Sequence, residues 1–119
     1  MKYVDGFVIA VPKKNLKAYF RMAEKASEVW REYGALDYKE CAGDDLRVKF
    51  GVSFLKQMKV KPSETVVFSY IVYKSRAHRD SVNAKVMKDP RIKNMCDENK
   101  MPFDVKRMVY GGFKVEVDA

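Results

Sequence analysis

A chain of 119 residues, 47% of them hydrophobic, is long enough for one packed domain and too apolar for a disordered protein. Its 24 Lys and Arg outweigh 16 Asp and Glu, and a charge of +8 is compatible with an anionic partner such as a nucleic acid. The charges are mostly spread singly along the chain, however, so a solvated and highly soluble surface is the preferred interpretation and a nucleic-acid partner is disfavoured. The sequence contains neither a recognisable signal peptide nor an apolar run long enough to cross a bilayer. We therefore predict a cytoplasmic protein without a membrane partner.

The two cysteines and the single histidine limit the possible chemistry. Cys41 and Cys96 are far apart and have neither CxxC spacing nor a nearby histidine, so neither is a strong candidate nucleophile. One histidine and scattered carboxylates form no recognisable set of metal ligands. The sequence thus predicts no disulfide, no metal and no cofactor.

The first third of the chain predicts a strand, a long helix and a second strand. Tyr3–Val11 is rich in β-branched and aromatic residues and lacks a helical period, which is typical of a strand. The helix is predicted to begin after an N-cap at Asn15 and to end at Gly34, with one apolar stripe along its length. Leu36–Ala42 alternates apolar and polar residues and predicts a half-exposed edge strand.

The remainder predicts a strand, a second helix and a final strand. Leu46–Ser63 is ambiguous, although "VSFLKQMK" within it could form a short helix. Glu64–Tyr73 is the clearest strand, and Ser75 is predicted to cap a helix that ends near Asp89. "RIKNM" could add one more helical turn, "MPFD" predicts a loop, and Val105–Val117 predicts the last strand.

This order of elements predicts an α+β fold in one domain spanning residues 1–119. Strand, helix, strand, strand, helix, strand (βαββαβ) is the split βαβ or ferredoxin-like arrangement, a four-stranded antiparallel sheet with two helices on one face. Two helices can cover only one side of such a sheet, so the strands of a monomer should alternate apolar and polar residues.

Several strands do not alternate in this way. In Glu64–Tyr73 one face carries Val67, Ile71 and Tyr73, while the other carries Val66, Phe68, Tyr70 and Val72. An apolar sheet face of several hundred Å² is larger than monomers usually expose. The sequence therefore predicts a homodimer in which two open sheet faces pack together, as in dimeric α/β barrels.

The adjacent glycines Gly111 and Gly112 interrupt the last strand. No helix and no Lys-Ser/Thr pair follows them, so a phosphate-binding loop is disfavoured. Glycine within a strand marks a bulge, a bend or a close approach of another group. We predict a structural role, a bend in a strand that curves around a barrel.

Four stretches of the chain resemble one known family. "MKYVDGFVIAVP", "YGAL" followed by "EC", "RDSVNAKVMKDPR" and "MPFDVKRMVYGGF" are similar, in matching order, to the YbaA-like family of small uncharacterised bacterial proteins. The resemblance implies a dimeric α/β barrel and carries no established catalytic residues. Dimeric barrels of this type include cofactor-free monooxygenases, isomerases and ligand-sensing modules, and the fold alone does not choose among them.

The strongest candidate site is on the second long helix. His78, Arg79 and Asn83 fall on one helix face together with two valines, and that face should border the cleft between helix and sheet. In one interpretation His78 is a general base or ligand hydrogen-bonder while Arg79 and Asn83 orient an anionic or carbonyl group. In the other, His78 lies half-exposed in the first turn and Arg79 extends to water.

Other candidates lie on the strands. Asp5 is surrounded by apolar neighbours and needs a partner, for which Lys106 or Arg107 on the last strand is predicted. "MPFD" could form a pocket lid. Tyrosines could line the same cavity or only pack with their hydroxyls at its rim; they are Tyr3, Tyr70 and Tyr110.

These residues leave three functions open. The first is a homodimer that binds a small, partly apolar molecule between sheet and helices. The second is a cofactor-independent enzyme of the monooxygenase or isomerase type. The third is a nucleic-acid-binding module that uses Leu46–Ser63, which carries five basic residues and no acidic one.

Overall fold

The computed structural model describes residues 1–95, 97 and 100–119, and it contains one four-stranded antiparallel sheet. The strands are β1 (Tyr3–Pro12), β2 (Asp37–Ala42), β3 (Glu64–Tyr73) and β4 (Val109–Lys114). Their order across the sheet is β2-β3-β1-β4, which is the ferredoxin-like arrangement. The predicted fold class is confirmed, and β2 is at an edge as expected.

Two long helices follow β1 and β3. The helices are α1 (Leu16–Glu32), α2 (Phe54–Gln57), α3 (Arg76–Lys88) and α4 (Pro90–Met95), and the short α2 and α4 correspond to "VSFLKQMK" and "RIKNM". Within the described residues, no helix combines the length and the apolar character that crossing a lipid bilayer requires.

The helix caps differ in how they use their side chains. Ser75 caps α3 as predicted, since its hydroxyl accepts a hydrogen bond from the His78 backbone N–H (3.1 Å). Asn15 does occupy the N-cap of α1, but its side chain makes no capping bond. The Asn15 amide instead donates to the Pro102 carbonyl (3.0 Å) and ties the helix start to the loop before β4. Gly34, at φ 114°, follows the end of α1 as predicted.

The register decides which side chains face the helices. Ile71 of β3 pairs with Asp5 of β1 and Tyr38 of β2, while Gly112 of β4 pairs with Asp5 on the other side. Side chains of one such row share a face. Odd-numbered residues of β1 and β3 therefore face the helices together with even-numbered residues of β2 and β4.

In a single chain the opposite face of the sheet carries neither of the long helices α1 and α3 and is largely apolar. We call it the open face. Its residues on the three strands β1, β3 and β4 are Val4, Gly6, Val8, Ala10, Val66, Phe68, Tyr70, Val72, Val109, Gly111 and Phe113. Phe68, Val109 and Phe113 are 43%, 57% and 62% exposed.

The predicted final strand is shorter than expected. Residues Val105–Arg107 form a single 3-10 turn, capped by the Asp104 side chain, and pairing begins only at Val109. Arg107 leaves the sheet because its guanidinium forms a two-point ion pair with Glu64, with Nη1–Oε2 and Nη2–Oε1 distances of 2.7 and 3.1 Å. A bidentate pair of this kind fixes the turn.

The glycine pair lies within β4 without a bulge or a positive φ, and the predicted bend stays a prediction. Gly111 and Gly112 pair with Gly6 and Asp5 in unbroken register. Gly112 is required by a close approach. A Cβ atom at Gly112 would lie 2.4 Å from the hydroxyl oxygen of Tyr3, a residue that is itself buried.

Gly112→Ala is expected to lower the free energy of unfolding by about 1–3 kcal/mol, because the Tyr3 ring would have to move within a packed core. Gly111→Ala is the matched control. A Cβ at Gly111 would meet the Phe113 ring at 3.9 Å, an ordinary contact, so its effect should stay within about 0.5 kcal/mol. Urea denaturation measures both, and equal destabilisation would contradict the close-approach explanation.

Candidate functional site

A cavity of about 360 Å³ lies between the sheet and the helices. Both hydrophobic clusters of the core contribute to it, for example through Ile71 and Phe103. Five of the chain's seven methionines line its walls, and they are Met22, Met87, Met95, Met101 and Met108. The size is that of a small-molecule site, and thioether side chains allow such walls to adapt in shape.

The "MPFD" segment closes part of this cavity. Phe103 is buried and packs edge-on against Tyr19, with 5.7 Å between ring centroids, and Met101 lines the cavity beside it. The "MPFD" loop, which the sequence suggested as a pocket lid, thus forms part of the packed cavity wall.

One end of the cavity contains a buried ion pair, which we call the arginine end. Arg79 of α3 donates from Nη1 to Oδ1 of Asp5 at 2.7 Å, and Asn83 donates from Nδ2 to Asp5 Oδ2 at 3.4 Å. The Arg79 guanidinium also lies over the Tyr3 ring, 4.9 Å from its centroid. Asp5 thus has a partner as predicted, but the partner is Arg79 and not Lys106 or Arg107.

Asn83 is fixed by two further aromatic residues. Its Oδ1 accepts hydrogen bonds from the Trp30 indole (3.1 Å) and from the Tyr73 hydroxyl (3.0 Å). Because its amide is held at both ends, the orientation of Asn83 is set before any ligand arrives. Of the predicted helix residues, Arg79 and Asn83 therefore line the cavity, as the first interpretation of α3 requires.

The other end of the cavity contains a carboxylate that the sequence analysis missed, and we call it the glutamate end. Tyr19 donates to Glu40 Oε1 at 2.7 Å and Tyr38 donates to Oε2 at 2.9 Å. Ser69 pairs with Glu40 across the strands and lies beside the same carboxylate. The available signal was parity, since Glu40 shares the helix-facing side of β2 with Tyr38.

Burial raises the pKa of the Glu40 carboxyl, and the hydrogen bonds from Tyr19, Tyr38 and Ser69 oppose this shift only in part. Burial, followed by the nearby Glu40 charge, raises the pKa of both the Tyr19 and Tyr38 hydroxyls. Both tyrosines therefore remain protonated donors at neutral pH.

The raised pKa of Glu40 predicts a pH-dependent stability. Between its ordinary pKa of 4.5 and the raised value, the folded state binds more protons than the unfolded state, so stability falls as pH rises. The free energy of unfolding of the wild type should therefore fall relative to Glu40→Gln across this window, by about 1.4 kcal/mol per pKa unit. Urea titrations at several pH values measure the difference, and a constant difference would contradict the shift.

His78 does not line the cavity, so the interpretation as a general base in the cleft is wrong. Its Nδ1 accepts a hydrogen bond from the Lys74 backbone N–H (3.0 Å), and its ring packs edge-on against Tyr73. Its Nε2 would lie 3.2 Å from a Cβ at Gly34. His78 thus packs the β3–α3 turn against the end of α1.

The other candidate residues lie in different parts of the molecule. Tyr110 lines the cavity and stacks on Phe7, with 5.9 Å between centroids. Tyr70 lies on the open face, and Arg107 pairs with Glu64 at a distance from the cavity wall. Cys41 is exposed on β2, while Cys96 lies outside the described residues.

The basic segment 46–63 contributes no side chain to the cavity among the residues that the structure describes. It includes α2 and the exposed Phe50, and its carbonyl at Lys59 accepts from Arg107 Nη2 (3.1 Å). Nucleic-acid binding through this segment stays a prediction.

The fold is similar to that of solved structures with little sequence identity. A NIPSNAP domain protein from Burkholderia xenovorans matches at a TM-score of 0.63 with 11% identity, over 98% of this chain and 97% of that one. A "Putative antibiotic biosynthesis monooxygenase" from Nitrosomonas europaea matches at 0.59 with 13% identity, over 97% and 90%. A dimeric ferredoxin-like protein from an uncultured marine organism matches at 0.58 with 14% identity, over 100% of both chains.

Sequence comparison is more specific. The protein called "Uncharacterized protein YbaA" from Escherichia coli K12 is 47% identical over 118 residues, which are 99% of each chain, and the Shigella flexneri protein of that name matches equally. The family described as "Protein of unknown function (DUF1428)" matches residues 2–105. The chain therefore belongs to the DUF1428 family, as its resemblance to YbaA-like proteins predicted.

Proposed function

We propose that this protein is a cytoplasmic homodimer in which each chain binds a small, mostly apolar molecule carrying a carboxylate or carbonyl group. The observation that carries the proposal is the cavity of about 360 Å³, walled by apolar side chains and holding one positioned guanidinium at its arginine end. A few fixed polar groups in an apolar cavity are typical of ligand sites.

The argument for a dimer is the open face. Its apolar residues extend over three strands and include exposed aromatic rings near the centre and at the β4 edge. Packing two such faces would bury on the order of 1,600 Å², the size of a stable interface. One fold neighbour is itself described as dimeric, which supports the same arrangement.

The argument for a ligand with an anionic or carbonyl group is the state of Arg79. Its described hydrogen bonds use Nη1, toward Asp5, and Nε, toward Asp80 at 2.8 Å. Within the described part of the chain, the Nη2 donors have no protein partner, and Arg79 lines the cavity. A guanidinium with unused donors in an apolar environment favours a carboxylate or carbonyl oxygen.

Filling the cavity tests this function. Ala26 of α1 lines the cavity, so Ala26→Phe should place a ring inside it and weaken the binding of anilinonaphthalene sulfonate, an apolar anionic dye, about tenfold or more. Ala18→Phe is the matched control because Ala18 is exposed on the same helix and does not line the cavity. Dye fluorescence titration measures both variants, and equal affinity in them would contradict the proposal.

A cofactor-independent enzyme is the second candidate, and Glu40 is the observation that favours it. A carboxyl whose pKa is raised by burial is a stronger base than an ordinary glutamate, which suits it to proton transfer. Metal-stripped protein, incubated with a bacterial metabolite extract, should then deplete a compound that Glu40→Gln leaves unchanged. Mass spectrometry of the two mixtures decides this, and identical mixtures would contradict the enzyme.

A further inference from the structure

The glutamate end has an incompletely used carboxylate inside an apolar cavity. A carboxylate offers about four acceptor positions. Tyr19 and Tyr38 use one each, and Ser69 is adjacent to supply a third. At least one acceptor position of Glu40 therefore has no partner among the described residues, and Glu40 lines the cavity.

The separation of the two polar ends follows from the strand register: it is two strand spacings across the sheet and two residues along a strand. Glu40 pairs with Ser69, and Ser69 pairs with Phe7, which is two residues from Asp5 on β1. With about 4.8 Å between strands and about 3.4 Å per residue, the Cα atoms of Glu40 and Asp5 are roughly 12 Å apart. A separation of roughly 12 Å is comparable to the length of a small aromatic acid together with its hydrogen bonds at both ends.

The wall between the two ends is apolar and partly aromatic. Phe7 and Ile71 lie on the sheet between them, and Ala23 and Ala26 lie above on α1. Small alanines on the helix leave space opposite the sheet residues, so a flat, apolar body fits the middle of the cavity.

We propose that the physiological ligand is bifunctional, an aryl or alkyl acid whose carboxylate binds Arg79 and whose far end donates a hydroxyl hydrogen bond to Glu40. This inference rests on the proposed binding function and specifies the chemical class of its ligand. We specify a hydroxyl donor because Glu40 already accepts hydrogen bonds from two hydroxyls, those of Tyr19 and Tyr38. An ammonium group at the far end would lose its hydration among apolar walls, so an uncharged donor is favoured.

The test uses two acids that differ only in the hydroxyl, para-hydroxyphenylpropionate and phenylpropionate. Isothermal titration calorimetry on the full chain should give about tenfold tighter binding of the hydroxylated acid, as expected for a hydrogen bond to a charged group. In Glu40→Leu this ratio should fall to about one, since the acceptor is gone. Glu28→Leu is the matched control, because Glu28 is exposed on α1 and lies outside the cavity and the surface around Glu40.

The outcomes separate this inference from the function on which it rests. A retained tenfold ratio in Glu40→Leu, or equal binding of the two acids to the wild type, would overturn the inference. Failure of both acids to bind, while the dye still distinguishes Ala26→Phe from Ala18→Phe, would overturn the ligand class and leave the binding function standing. If Glu40→Leu does not fold, Glu40→Gln takes its place and should reduce the ratio in the same direction.

Discussion

Replacing Phe68 with glutamate is expected to give a monomer of 13.8 kDa, whereas the wild type is expected to sediment at twice that mass. Phe68 lies on the open face of the inner strand β3 and is 43% exposed in a single chain. In the proposed dimer an unpaired carboxylate at this position would be buried, at a cost of several kcal/mol in each chain. Sedimentation velocity at micromolar concentration measures the shift.

The control for this prediction is Phe68→Leu, which keeps an apolar side chain on the open face. It should remain dimeric, with a dissociation constant within about tenfold of the wild type. A wild type that sediments as a monomer would contradict the dimer outright. A Phe68→Glu variant that stays dimeric would show that the open faces are not the interface.

Asp5→Leu is expected to lower the free energy of unfolding by about 3 kcal/mol, because it leaves the Arg79 charge without its buried partner. The side chains of Asp5 and Arg79 are only 9% and 20% exposed, so water replaces the lost interaction poorly. The double variant Asp5→Leu/Arg79→Met should recover more than half of the loss, since no unpaired buried charge then remains. Urea denaturation of the three proteins provides the comparison.

Asp80→Leu is the matched control, because Asp80 also pairs with Arg79, at 2.8 Å, through a side chain that is 61% exposed. An exposed pair contributes at most about 1 kcal/mol, so this variant should be close to the wild type. If Asp5→Leu and Asp80→Leu were equally destabilising, burial would not be what makes the Asp5 pair important.

The fold was predictable from the sequence because each strand and long helix carries a strong local signal. The ten-residue β3 and the capped α3 follow directly from β-branched composition and from Ser75. The error at the end of the chain has a physical cause in tertiary structure. Arg107 is drawn out of the predicted strand by Glu64, a residue 43 positions away, and such a pair leaves no local pattern.

The candidate site was predictable in part. The helical period correctly placed Arg79 and Asn83 on the cavity side of α3. The same period misplaced His78, because its position in the first turn and its bond from the Lys74 backbone hold it against the β3–α3 turn. Glu40 was missed because a single acidic residue in an edge strand is usually solvated, and only the register with Ser69 shows that it faces inward.

The methionine-rich wall of the cavity has a further consequence. Methionine side chains are unbranched and polarisable, so they can rearrange at little energetic cost around ligands of different shape. In the proposed ligand site, size and shape would then be weak criteria for binding, and selectivity would depend on the two polar ends, Arg79 and Glu40. Substituting Arg79 or Glu40 should therefore change which compounds the protein binds more than substituting the apolar residues of the cavity wall.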